Sequence, residues 1–131
     1  MEQKRAIAEL ADIRLLVDTF YGKVREDELL GPIFATVITA DWQPHLNIMY
    51  RFWQSVLLKE STYGGAPFPP HMKLPIAREH FERWLKLWRQ TVDEYFEGDV
   101  AEEAKWRAGK MAELFIAKLD YYRGNSAKPL M

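Results

Sequence analysis

The chain has no cysteine, no surplus of either charge and no long apolar run. Without thiols it forms neither disulfides nor cysteine nucleophiles, and it cannot hold zinc or an iron–sulfur cluster through thiolates. Eighteen Lys and Arg against nineteen Asp and Glu leave a net charge of −1, so there is no basic footprint for nucleic acid and no polybasic patch for a membrane surface. No window approaches the roughly 18 apolar residues of a membrane-spanning helix. The opening "MEQKRAIAELADIRLLV" interrupts its apolar residues with charges every few positions, unlike a signal peptide. These absences predict a cytoplasmic protein with neither nucleic acid nor membrane as partner. Three catalytic classes also lack their signatures. Ser55, Ser61 and Ser126 have no GxSxG setting, no HExxH or HxxxH pair offers helix-borne zinc ligands, and "YGGAP" does not join a strand to a helix as a phosphate-cradling loop would.

What is present is a helical pattern rich in aromatic residues. At 131 residues the chain is long enough to bury roughly two-thirds of its unfolded surface, and residues 1–131 read as a single domain whose tail, about 124–131, frays. Ile13, Leu16, Val17, Phe20, Tyr21 and Val24 recur at steps of three and four, predicting a helix over about 9–25 with Asp12 near its start. "GPIFATVITADW" opens on Gly31 and Pro32 and supports a turn or two of helix around 33–38, with Phe34 its largest apolar side chain. From Asp41, a capping residue, to about Lys59, a helix carries His45, Met49, Phe52 and Val56 on one inward stripe, widened by Trp53 and Leu57. A helix over about 77–96 follows, with Phe81, Trp84, Trp88, Val92 and Tyr95 on one face. The last, about 100–123, turns Ala104, Ala108, Met111, Phe115 and Tyr122 inward; Gly98 and Gly124 end the two. There is no sustained strand alternation and no internal repeat.

Between these helices, "ESTYGGAPFPPHMKLPI" packs two glycines and four prolines into 17 residues. A loop of that length in a compact domain is functional or disordered, and Tyr63, Phe68, Met72, Leu74 and Ile76 argue against disorder. Pro69, Pro70 and Pro75 restrain the backbone around His71, as a fixed ligand requires. His45 heads an apolar stripe, where a lone histidine is more often a satisfied core residue than a ligand. His80, in "AREHFERW", reads as a surface or half-buried residue, with Glu79 and Glu82 on a solvated helix face. Met49, Phe52, Trp84, Trp88, Met111 and Phe115 have the spacing of ordinary core. Combined with two histidines, they are also the walls a flat apolar macrocycle wants, with an axial imidazole for its iron. The residues leave a haem-free interaction or sensory module open as the alternative.

The stretches "LLVDTFYGKV", "LLGPIF", "WQPHLNIMYRFWQSVLL", "YGGAPFPPHMKLPI" and "HFERWLKLW", in this order from about Ile13 to Phe115, resemble the truncated haemoglobins, most of all their group III branch. The resemblance implies an all-α fold, a two-over-two helical sandwich around haem b (iron protoporphyrin IX). It makes His71 the proximal iron ligand and Tyr21, His45 and Trp84 the polar groups on the distal side. Phe34 matches the phenylalanine that packs near the porphyrin rim, and Phe52 an aromatic wall from the distal helix. Met49, Met72, Ile76, Phe81, Trp88, Met111 and Phe115 complete the expected haem contacts. The "HFERW" match selects Trp84 over Trp88 for the distal role, while Arg78, Lys73 and Tyr63 are candidates for the haem propionates.

The ligands implied are dioxygen, nitric oxide and carbon monoxide, or peroxide, at a five-coordinate iron. Nitric oxide oxidation and peroxidase-like reduction, served by a reductase, are the enzymatic options. Against the second, the loop around His71 places no Asp or Glu beside the imidazole to make it more electron-rich. Paired donors on the distal side favour ligand stabilisation or chemistry over simple transport.

Overall fold

The structure, a computed structural model, describes residues 3–60, 63 and 76–123. His71, Met72, Lys73 and Phe68, with Pro69, Pro70 and Pro75, lie outside the described residues, as does the tail from Gly124. Five helices follow in order: α1 (Leu10–Glu26), α2 (Gly31–Val37), α3 (Gln43–Leu57), α4 (Arg78–Tyr95) and α5 (Asp99–Arg123). Their ends fall within about two residues of those the periodicity predicts, the usual spread of helix boundaries.

The starts show local chemistry at work. Asp12 lies in the first turn of α1, where its Oδ2 accepts the N–H groups of Ala8 at 2.9 Å and Glu9 at 3.1 Å, and its Oδ1 accepts Arg5 Nε at 2.7 Å. Between α1 and α2, Asp27 Oδ2 accepts the N–H groups of Leu29 and Leu30, both at 3.0 Å, and its Oδ1 accepts Arg83 Nε at 2.6 Å. The loop is thereby tied to α4. Gly31 has a steric reason to be glycine: a Cβ there would stand 2.8 Å from the Arg25 carbonyl oxygen. Asp41 stands before α3, where its Oδ1 accepts Gln43 N–H at 3.0 Å. Gly98, at φ +100°, makes the reversal between α4 and α5 in a region that side-chain-bearing residues avoid.

Two helix pairs, α1 with α3 and α4 with α5, stack through α1 and α4, as a two-over-two sandwich requires. Ala101, Ala104, Ala108 and Ala112 form a buried stripe of small residues on α5. That stripe lets Trp88 of α4 lie on the α5 backbone and donate its indole N–H to the Ala104 carbonyl at 3.1 Å. Trp88 stacks on Trp53 at 4.4 Å and meets the edge of Phe20 at 5.0 Å, closing the core. Each such aromatic pair contributes about 0.5–1.5 kcal/mol beyond its buried area. Tyr122, read as inward, is instead 54% exposed, because the 25-residue α5 runs past the start of the 18-residue α4. At the other end, Arg5 N–H donates to the Tyr95 carbonyl at 3.1 Å and Glu97 N–H to the Arg5 carbonyl at 3.0 Å. This bridge fixes the N-terminal segment against the end of α4. Among the described residues no helix is long and apolar enough to cross a membrane.

Candidate functional site

The helix pairs do not close completely on each other. They leave a cavity of about 120 Å³, lined by residues from every helix. α1 contributes Tyr21; α2 contributes Ile33 and Phe34, with Leu30 just before them. α3 turns His45, Met49, Phe52 and Trp53 towards it, while Tyr50 and Leu57 on the adjoining face are buried in the core. Ile76 stands just before α4, His80, Phe81 and Trp84 come from its first two turns, and Met111, Ala112 and Phe115 from α5.

Its polar atoms are few. Tyr21, 6% exposed, packs edge-on against His45 at 5.0 Å and Phe34 at 5.9 Å, and against Phe20 on its other side at 4.8 Å. Burial pushes the Tyr21 hydroxyl far above the ordinary phenol pKa, so it stays protonated. His45 Nε2 is buried, and Trp42 closes over that ring at 5.8 Å, itself held under the Arg25 guanidinium at 4.9 Å. Trp84 meets Phe20 edge-on at 5.6 Å and lies parallel to Trp88, 6.0 Å away. No Lys, Arg, Asp or Glu lines the cavity among the described residues.

The sequence expectations converge on this space. Tyr21, His45 and Trp84 all reach it, as do Phe34, Met49, Phe52, Ile76, Phe81, Met111 and Phe115; His71 and Met72 lie outside the described residues. Trp88, expected as a haem contact, sits one turn behind Trp84 in the core, wholly buried, with its N–H spent on Ala104. Of the propionate candidates, Arg78 and Tyr63 are not in the lining, and Lys73 is outside the described residues. His80, read as a surface residue, does line the cavity; its Nδ1 accepts Ala77 N–H at 3.0 Å. Its spacing of four from Trp84 on one helix face was the available signal. Leu30, Ile33, Trp53 and Ala112 were not read as site residues, since each reads equally as core.

Among the described residues no cluster of three or more His, Asp or Glu is arranged to hold a bare metal ion. The cavity suits a different guest. Apolar walls from five helices fit a flat apolar macrocycle, and the polar groups of Tyr21, His45 and Trp84 fit a small polar ligand beside it.

Comparison with known proteins decides the family. The profile described as bacterial-like globin matches residues 6–116. The chain belongs to the bacterial-like truncated globins. The globin is 37% identical over 117 residues to the group 3 truncated haemoglobin ctb of Campylobacter jejuni, spanning 86% of this chain and 92% of that protein. It is 28% identical over 89 residues to the group 2 truncated haemoglobin YjbI of Bacillus subtilis, spanning 66% and 67% of the two chains. The crystal structure of the group III truncated haemoglobin from Campylobacter jejuni superposes with a TM-score of 0.84 at 35% identity, covering 93% of this globin and 99% of that chain. As a globin it is a haem protein that binds small gaseous ligands such as dioxygen. Membership sets aside the haem-free alternative.

Proposed function

We propose that this globin works as a single cytoplasmic domain that holds haem b in the cavity, with His71 as axial ligand. In this reading Tyr21, His45 and Trp84 retain a small ligand: dioxygen, nitric oxide, carbon monoxide or peroxide. One observation carries it: a phenol from α1, an imidazole from α3 and an indole from α4 line one predominantly apolar cavity. Phe34, Met49 and Phe52 on one side, and Ile76, Phe81, Met111 and Phe115 on the other helix pair, would hold the macrocycle, with Met72 beside His71.

When bound, haem supplies an iron with one coordination position left for a small ligand. The rest falls to the side chains. Tyr21, kept neutral by burial, is an O–H donor at every working pH. The Trp84 indole can only donate, and its plane is set by the parallel Trp88 ring behind it. His45 donates or accepts according to its tautomer. A hydrogen bond to a charged partner contributes about 1.5–3 kcal/mol, and every ~1.4 kcal/mol is tenfold. Two donors facing a ligand that takes on negative charge therefore slow its release by about two to four orders of magnitude.

A carrier must let go of its cargo. Such retention favours chemistry over transport, with nitric oxide oxidation or peroxide reduction as the reactions and a reductase as the electron source. The test is spectroscopic. Protein from haem-supplied cells is expected to be red with a strong Soret band, and His71→Gly, in buffer free of imidazole, to lose it. A glycine variant with wild-type pigment content and spectrum would remove His71 from the axial role.

A further inference from the structure

The cavity has two described histidines, and the fold treats them differently. His45 is nested among the rings of Tyr21, Phe34 and Trp42, with Nε2 sealed from solvent. His80 stands at the edge, half-exposed, in the first turn of α4. Its Nδ1 accepts the Ala77 N–H at 3.0 Å, and Nε2 makes no hydrogen bond to a described residue.

That one backbone bond decides what His80 can do. An imidazole nitrogen that accepts an N–H carries no proton, so the neutral ring bears its proton on Nε2. The bond also locks the ring's orientation, so the donor is fixed as well as free. Haem is apolar except at one edge, where its two carboxylates project. An unpaired carboxylate is far too costly to bury in an apolar cavity, so that edge must face the mouth. There the described lining offers no Lys or Arg, and the half-exposed donor is His80.

We infer that His80 Nε2–H hydrogen-bonds a haem carboxylate at the cavity mouth, anchoring the macrocycle and selecting which of its edges faces the start of α4. The inference rests on the reading that the cavity holds haem. It assigns His80 to cofactor retention, apart from the ligand-facing role of Tyr21, His45 and Trp84.

The experiment compares two porphyrins. Wild type, His80→Leu and His80→Gln are loaded with iron protoporphyrin IX or with its dimethyl ester, whose carboxylates are blocked, and haem loss to excess apomyoglobin is timed. With free carboxylates, His80→Leu is expected to lose haem at least about fivefold faster, while His80→Gln, which keeps a side-chain N–H donor, recovers part of the difference. With the ester, all three proteins release at one rate. Acceleration by His80→Leu that is equal for both porphyrins, or absent for both, overturns the inference and leaves haem binding intact. If wild type takes up neither porphyrin, the haem reading itself fails and the inference falls with it.

Discussion

The core behind Trp88 and the cavity beside Trp84 are built from the same kinds of residue on the same helix. The two indoles lie one turn apart and nearly parallel, 6.0 Å between centroids at 3°. Trp88 is enclosed by Trp53, Phe20 and the alanine stripe of α5, and its N–H is used by the Ala104 carbonyl. Trp84 faces open volume, with no such backbone partner for its N–H among the described residues. What separates a core tryptophan from a cavity-lining one here is whether a neighbouring backbone comes close enough to accept its N–H.

The largest effect should come from the core side. Trp88→Ala is expected to cost about 3–5 kcal/mol of unfolding free energy in denaturant titration, while Trp84→Leu costs at most half as much. Equal losses would erase the distinction between the two regions. Next comes ligand retention: Trp84→Leu and Tyr21→Phe are each expected to speed dioxygen dissociation about tenfold or more in stopped flow, and Trp88→Phe to leave it nearly unchanged. Unaltered rates in both cavity variants would remove the polar end of the site.

The smallest effect tests the strut between the regions, Asp27, which ties the start of α2 to Arg83 on α4. Burial works to raise its pKa, but the N–H groups of Leu30 and Leu29 and the Arg83 guanidinium outweigh it, and the net shift is downward. A carboxyl whose folded pKa lies below its unfolded value stabilises the fold above the ordinary carboxylate range, near pH 4, and loses that contribution as pH falls through the folded value. Asp27→Asn is therefore expected to lower stability at pH 7 by about 1 kcal/mol and to flatten the acid limb of the stability curve. An acid limb as steep as that of wild type would show that the carboxylate's charge is not what holds the loop.

Much of this was legible in the chain. The stripes of α1 and α3 announced Phe20, Tyr21, His45, Met49 and Phe52, and "GPIF" announced a short helix bearing Phe34. The resemblance to truncated haemoglobins implied one site for Tyr21, His45 and Trp84, and the three residues line one cavity. His80 was harder: in the chain it sits among Glu79, Glu82 and Arg83, the look of a solvated face, and only the packing of α4 against α5 brings it to the cavity edge. Trp88 shares a stripe with Trp84, and periodicity cannot rank two residues four apart; the fold buries Trp88 in the core and leaves Trp84 in the cavity lining.

By itself the sequence determined where helices begin and end, which faces are apolar, and that no thiol, charge surplus or long apolar run is available. It could do so because helical period, capping and turn chemistry act over a few neighbouring residues. Only the tertiary structure decided which apolar faces meet and which enclose a cavity. That choice rests on contacts distant along the chain, such as Trp88 with Ala104 and Asp27 with Arg83, and a helix's own periodicity specifies angles about its axis without specifying what lies across from them.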